Sequence, residues 1–316
     1  MNTPRLIQLA QDDPVATRAE LIAGLIAPQA ALSPKYLYDA LGSRLFAAIT
    51  ELAEYYPTRT EAGIFRQYIG EMADAIGPVA TLVDLGAGNC EKAARLFEAL
   101  AVQRYVAVDI SADYLRESLD RLQYEHPAMQ MLGVGLDFSQ TLNLPVAIGP
   151  GPRTLFYPGS SIGNFTPDEA LIFLRQVHAA SQGGNLLIGV DLVKSDAVLV
   201  PAYDDALGVT AAFNRNLLLH LNRLIDADFN IADWRHVGLF NHAESRIEMH
   251  LEALRDCRVS WPGGTRHFRA GERIHSENSC KWQPDDFADL LRQAGFTQVR
   301  QWRDARDWFA VFAAFA

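Results

Sequence analysis

Cysteine is scarce in this chain: Cys90, Cys257 and Cys280 are the only three in 316 residues. An odd number at wide spacing gives neither a disulfide framework nor a zinc-ribbon pattern, and fits a reducing compartment. Long apolar runs are lacking too. The longest, residues 308–316, falls well short of the roughly 20 residues that span a bilayer. Where a secretory leader would carry its apolar stretch stand Asp12 and Asp13, so a cytoplasmic protein with no membrane partner is expected. Positive charge is in deficit. With 28 Lys+Arg against 38 Asp+Glu, the net charge of -10 and the absence of a basic stripe argue against a nucleic-acid partner. Internal repeats and low-complexity linkers are also missing. What remains has ordinary globular composition, 49% hydrophobic and 21% charged. The length suits about two domains at ~150 residues each, and a monomer is expected.

Residues 1–59 read mainly as helices, with apolar residues at helical spacing over 15–25 and 36–49 and with Pro57 as punctuation. From residue 60 the pattern changes to short apolar strands alternating with amphipathic stretches. The strands are expected at 81–85, 105–109, 129–138, 154–157 and 185–192, and crossover helices at 90–101, 112–125 and 167–180. Such alternation implies a parallel, doubly wound sheet. The rhythm stops after Val193. Residues 194–280 carry a long helical stretch near 209–224 and strand-like runs such as 246–254, and read as an insertion. A helix at 284–294 and two strand-like runs at 298–303 and 308–316 complete a Rossmann-like α/β sheet of seven strands. The expected division is 60–195 plus 281–316 for the sheet domain, and 1–59 plus 196–280 for an α+β substrate domain.

The segment Asp84-Leu85-Gly86-Ala87-Gly88-Asn89-Cys90 follows the first strand. Its two glycines allow a sharp turn and close approach of backbone to a ligand. The third glycine of a dinucleotide fingerprint is missing, because Glu91 stands in its place. Asp109 ends the second strand, roughly 20 residues after the glycines, where a carboxylate accepts from ribose hydroxyls. Asp137 and Phe138 end the third, offering an acceptor for an exocyclic amine and a ring beside a base. Each taken singly is a common turn, cap or core feature. Their joint occurrence at successive strand ends, where open parallel sheets bind ligands, is the informative observation. This constellation and the closing hairpin resemble S-adenosylmethionine-dependent methyltransferases. A nicotinamide dehydrogenase is the runner-up, disfavoured by the missing glycine and by the hairpin.

Further strings lie outside the sheet: Tyr36-Leu37-Tyr38-Asp39; Gly42-Ser43-Arg44-Leu45-Phe46; Glu54-Tyr55-Tyr56-Pro57-Thr58-Arg59-Thr60-Glu61; Gly159-Ser160-Ser161-Ile162-Gly163-Asn164; Tyr203-Asp204-Asp205; Arg246-Ile247-Glu248-Met249; and Glu277-Asn278-Ser279-Cys280-Lys281. In order and spacing, over roughly residues 34–300, they resemble the histidine-specific Nα-methyltransferase family. The ergothioneine-pathway member of that family converts L-histidine to its trimethylbetaine, hercynine. The resemblance implies that Gly86, Lys92, Asp109, Asp137 and Phe138 hold S-adenosyl-L-methionine. It implies that Tyr55, Asn164 and Tyr203 hold the amino-acid end of the substrate, that Glu277 and Ser279 hold the imidazole, and that Phe46 and Met249 line the pocket. Neutral amide and phenol groups suit a zwitterion, and a carboxylate with a hydroxyl suits the two ring nitrogens. Tyr38 is expected close to the transferred methyl group.

Competing readings attach to the same residues. Asn164 after Gly163 is ordinarily a turn residue, Met249 ordinarily fills a core, and a Tyr55-Tyr56 pair ordinarily buries one ring and exposes the other. His267, His275, Glu277 and Cys280 cluster in sequence without a zinc spacing, so no metal is expected. Gly159, Ser161 and Gly163 match Gly-x-Ser-x-Gly, but the last histidine, His275, precedes the final helix and strands, which disfavours a hydrolase. An Nα-methyltransferase for another amino acid or small amine is the alternative within the fold. From a different class, a catalytically silent S-adenosylmethionine-binding module is the other reading.

Overall fold

The computed structural model describes residues 2–9, 13–138 and 141–316, with residues 112 and 113 described by their backbone. The chain divides into two units: Met1–Gln11, Arg59–Val193 and Trp282–Ala316 form one, and Asp12–Thr58 with Lys194–Lys281 the other. No helix among the described residues is long and apolar enough to cross a membrane.

The first unit is built on a mostly parallel sheet. Its spatial order is Arg5–Gln8, Gln130–Gly135, Arg104–Asp109, Thr81–Leu85, Thr154–Tyr157, Asn185–Asp191, Phe309–Phe315 and Gln298–Arg303. The strands from 81 to 191 are nearly continuous apolar runs because both faces are covered. On one face, Leu115, Leu119 and Leu122 of the helix Ala112–Glu125 join a core cluster with Ile64, Met72, Phe97, Tyr105 and Phe156. On the other, Phe287 of the helix Pro284–Gln293 packs on Phe312, their ring centroids 5.1 Å apart. Strand order reverses beside Thr81–Leu85: succeeding strands run one way to Arg104–Asp109 and the other way from Thr154–Tyr157. This is the switch point at which an open α/β sheet presents strand ends to a ligand.

Several expectations need correction. Among the described residues the sheet has eight strands rather than seven, because Arg5–Gln8 pairs in parallel with residues 132–135. The N-terminal residues therefore group with the sheet unit and not with the second. The stretch 90–101 forms a helix only over Glu91–Ala94. Its apolar spacing is met by successive turns, such as Leu96 N–H to Ala93 O and Phe97 N–H to Ala94 O. Pro57 starts rather than ends an element: the helix Tyr56–Ile76 carries it in its first turn, where proline lacks no needed donor.

The second unit packs the helices Pro14–Ile26, Ala40–Thr50, Asp196–Tyr203 and Val209–Ile225 around a four-stranded sheet. That sheet is ordered Ala30–Ala31, Arg273–Cys280, Arg246–Ala253 and Trp234–Asn241. The expected helix over 36–49 is interrupted at Asp39, whose carboxylate caps the helix Ala40–Thr50 by accepting from Gly42 N–H at 2.7 Å. Asn216 Nδ2 donates to the same carboxylate at 2.7 Å. Tyr38, the residue before this cap, is thereby fixed at the start of a helix.

Candidate active site

In the first unit, three adjacent parallel strands deliver their expected residues to one edge of the sheet. Gly86 N–H and Ala87 N–H both donate to Val108 O, at 2.9 and 3.1 Å, stitching the glycine turn to the next strand. Gly86 and Gly88 have φ of 71° and 52°, the left-handed region that a glycine enters without strain. A Cβ on Gly88 would meet nothing within 4 Å, and one on Gly86 only the Phe138 ring at 3.9 Å, so the turn borders open space. Asp109 accepts from Gly88 N–H and Ser111 N–H, both at 2.9 Å. Burial raises its pKa, while these backbone bonds pull it down. Asp84, one strand over, is pushed up to about 7 by burial, against the Tyr105 hydroxyl that donates to it at 2.7 Å. Phe138 stands half-buried beside the turn, its ring 6.0 Å from Tyr157 and 5.9 Å from Phe173. The open turn, a carboxylate at the second strand end and a ring at the third form a cradle suited to an adenosine.

Lys92 belongs to the same edge, through a residue that sequence reasoning missed. Glu61 is 1% exposed. Its Oε2 accepts from Lys92 Nζ at 2.7 Å, and its Oε1 from Gly159 N–H at 2.7 Å. A Cβ on Gly189 would fall 2.0 Å from Oε1, so the glycine makes room for the carboxylate. Glu61 therefore joins Lys92 to the loop leading to Asn164. Its signal was present: Glu61 continues the apolar stripe of Ile64, Phe65, Tyr68 and Met72, where a charge requires a partner. Asn164 ends a short 3-10 turn, Ser161–Asn164, and is half-buried. In the same turn the Ser161 hydroxyl donates to Pro158 O at 3.2 Å, as a structural rather than a nucleophilic serine would.

The second unit assembles the other expected residues. A chain of ring contacts runs from Phe213 through Tyr38 (5.5 Å), Phe46 (5.5 Å) and Tyr55 (6.2 Å) to Tyr203 (6.2 Å). Tyr55 and Tyr56 are both buried, contrary to the alternation expected of such a pair, because Lys194 Nζ covers Tyr56 and donates to its hydroxyl at 2.9 Å. Tyr203 is held from behind by His236. Asn214 Nδ2 donates to His250 O at 3.0 Å and to His236 Nδ1 at 2.9 Å. The Nε2–H of His236 is therefore the donor to Tyr203 O at 2.8 Å. Burial lowers the His236 pKa, which agrees with this neutral tautomer.

On the four-stranded sheet, Glu277 stands directly opposite Met249, and Ser279 opposite Ile247. The period of two puts all four on one face. The register shifts between His275 and Glu277, and the bulged Ser276 donates to Met249 O at 3.0 Å. A bulge of this kind re-aims the following side chain. Glu277 is 9% exposed, and burial raises its pKa to about 8 against the opposing charge of Lys281. The Ser279 and Tyr203 hydroxyls are 2.8 Å apart, and Lys281 Nζ donates to both, at 2.7 and 2.9 Å. Lys281 went unassigned at the sequence level although it continues the alternation of Glu277 and Ser279.

The opposite sheet face carries a different trio. Glu248, His250 and His275 offer atoms within 4.8 Å of one another that could hold a metal ion. Of the four residues weighed as ligands from sequence, only His275 takes part. The Arg246 guanidinium already lies 2.8 Å from Glu248. Burial would raise the Glu248 pKa, but bonds from Asn241, Arg246 and His250 hold it at about 2. This is an ion-paired face with its cation built in.

A profile described as histidine-specific methyltransferase, SAM-dependent, matches residues 17–316. The chain is 41% identical over 306 residues to the histidine N-alpha-methyltransferase of Mycolicibacterium smegmatis, covering 95% of this chain and 94% of that one. The protein of the same description from Mycobacterium tuberculosis is 41% identical over 308 residues, covering 95% of each. Ergothioneine biosynthesis protein 1 of Neurospora crassa is 33% identical over 277 residues, 84% of this chain and 31% of that longer one.

Proposed function

Because the chain belongs to the histidine-specific, S-adenosylmethionine-dependent methyltransferase family, we propose that it methylates the α-amino nitrogen of L-histidine, three times in succession, to give hercynine for ergothioneine synthesis. The observation that carries histidine as substrate is Glu277, a buried carboxylate beside Ser279 and opposite Met249 on one sheet face. A carboxylate there needs a donor, and an imidazole N–H supplies one while the serine hydroxyl serves the second nitrogen.

When bound, S-adenosyl-L-methionine supplies an electrophilic methyl group on a sulfonium sulfur. The residues present fit it. Asp109 retains lone pairs for ribose hydroxyls, Asp137 and Phe138 serve the adenine, and the open glycine turn with Lys92 serves the amino-acid portion. Tyr55, Asn164 and Tyr203 hold the carboxylate and amine of histidine through neutral groups, which adds no competing formal charge. The attacking amine must be neutral. With an α-amino pKa near ~8 in model compounds, losing its proton on binding costs little. Tyr38 is the polar group assigned next to the transferred methyl. Alignment of amine and methyl, with water excluded, accounts for most of the catalysis that such a displacement requires. Each later transfer repeats the proton loss, so the pocket must admit the added methyls.

The reading includes a monomer working in the cytoplasm on a free amino acid, without nucleic acid; the scarce cysteines support the reducing compartment, and the net charge of -10 supports the lack of a nucleic-acid partner. The test is incubation with S-adenosylmethionine and each amino acid in turn, with mass spectrometry counting methyl additions. Histidine should gain three. Preferential methylation of another amino acid or amine would replace histidine in this reading.

A further inference from the structure

Lys92 is the cation assigned to the cofactor's amino-acid portion, yet its own short helix, Glu91–Ala94, does not fix its head: the flexible four-carbon stem is 37% exposed. The anchor is Glu61, whose side chain is 2% exposed and which arrives from another element, the helix Tyr56–Ile76. Glu61 is itself held from several sides. Its Oε1 accepts from Gly159 N–H and its Oε2 from Lys92 Nζ, each at 2.7 Å, and Gly189 leaves the gap that the carboxylate fills. Gly159 makes room for the lysine too, since a Cβ there would lie 2.9 Å from Lys92 Nζ. The same ammonium is close enough to Asp84, on the strand Thr81–Leu85, to act against the rise in its pKa. It thus stands between the ends of two neighbouring strands, Thr81–Leu85 and Thr154–Tyr157, at the switch point of the sheet.

Building on the assignment of Lys92 to the cofactor above, we propose that Glu61 is a positioning residue of the cofactor site: it holds Lys92 in place before the cofactor arrives, so that the ammonium meets the cofactor's carboxylate already aimed. Donor counting allows Lys92 both partners at once. An ammonium carries three hydrogens, of which Glu61 takes one and leaves two for a second carboxylate. Holding a long side chain in its bound geometry removes an ordering cost from the binding step, worth about threefold to tenfold in affinity. Repulsion between the two carboxylates acts the other way. It is small, because the amino-acid portion of the cofactor is a zwitterion whose ammonium offsets its carboxylate. Glu61→Gln separates this role from the support of the loop. The amide oxygen still accepts from Gly159 N–H, while the amide NH2 faces the ammonium, donor against donor, and Lys92 is released.

The probes are S-adenosylhomocysteine and 5′-methylthioadenosine, which share the adenosine and the sulfur, whereas the second lacks the amino-acid portion. Calorimetry gives the ratio of their affinities, which a merely structural role for Glu61 would not move. Wild type should prefer S-adenosylhomocysteine. Glu61→Gln should reduce that preference by about threefold to tenfold, with methylthioadenosine binding unchanged, and should raise KM for S-adenosylmethionine more than it lowers kcat. Combining Lys92→Met with Glu61→Gln removes both charges and leaves no buried carboxylate unpaired, so the preference should fall below that of the single variant. A wild-type preference retained in Glu61→Gln, or an equal loss of both ligands, overturns the proposal. Carbon relaxation of the Lys92 ε-methylene in ligand-free wild type needs no variant. It should report a rigid side chain, and a freely rotating one overturns the proposal even if Glu61→Gln does not fold. A double variant that keeps the full wild-type preference would instead refute the assignment of Lys92 to the cofactor, on which the proposal rests.

Discussion

Replacing Glu61 should cost more than a single charged residue on a helix suggests. In Glu61→Ala the Gly159 amide loses its acceptor inside the protein, which costs about 1–3 kcal/mol. Lys92 loses its partner as well, but its side chain is 37% exposed, so that half of the pair adds only about 1 kcal/mol after solvent screening. A total of about 2–4 kcal/mol corresponds to a fall in melting temperature of about 5–15 °C for a unit of this size. Glu61→Gln keeps an acceptor for Gly159 and should cost only about 1 kcal/mol. Gly189→Ala pushes a methyl to within 2.0 Å of Oε1 and should cost about 1–3 kcal/mol on its own. In the Glu61→Ala background the same methyl enters vacated space, so the two losses should be strongly sub-additive. Thermal unfolding followed by circular dichroism measures all four proteins. A Glu61→Ala melting point within about 1 °C of wild type, or strictly additive losses, would refute this role of Glu61 in joining Lys92 to Gly159.

Asp109→Ala should weaken S-adenosylhomocysteine binding at least about tenfold, from charge-assisted bonds worth about 1.5–3 kcal/mol; unchanged calorimetric affinity in a folded variant would remove Asp109 from the ribose. Asn164→Ala should impair histidine binding while leaving S-adenosylhomocysteine binding nearly intact, and equal losses for both would reduce Asn164 to a turn residue. Glu277→Ala combined with Met249→Val should lose histidine turnover and gain some activity toward tryptophan, because the buried carboxylate no longer penalises a substrate without its donor. Competition assays with mixed amino acids decide this, and an undiminished histidine rate would count against the imidazole assignment.

The strands from 81 to 191 were legible because burial on both faces leaves an apolar run that little else in a chain resembles. The places of Gly86, Asp109 and Asp137 at or just after strand ends were legible because the runs that precede them were. Arg5–Gln8 was not: four residues with two polar ends become a strand only when an edge is available to pair with. The stretch 90–101 misled because buried residues at helical spacing are compatible with successive tight turns, and Cys90, at φ 63°, has already left the helical region. Glu61 and Lys281 escaped for a common reason. A charged letter says nothing of burial until the surrounding chain encloses it, although each continued a pattern that was visible: a helical stripe for one, a strand alternation for the other.

The pairing of Ala30 with Ile274 has a temporal meaning as well as a spatial one. Chains emerge from the ribosome N-terminus first and fold in units. Residues 12–58 appear early, but the strand they must pair with and the helix Val209–Ile225 are made only after the parallel strands from 81 to 191 have been completed. The apolar faces of Pro14–Ile26 and Ala40–Thr50 therefore wait without their partners through much of synthesis. Such long sequence separation slows folding and prolongs exposure to aggregation. Nascent chains arrested near residue 193 should accordingly be protease-sensitive before residue 59.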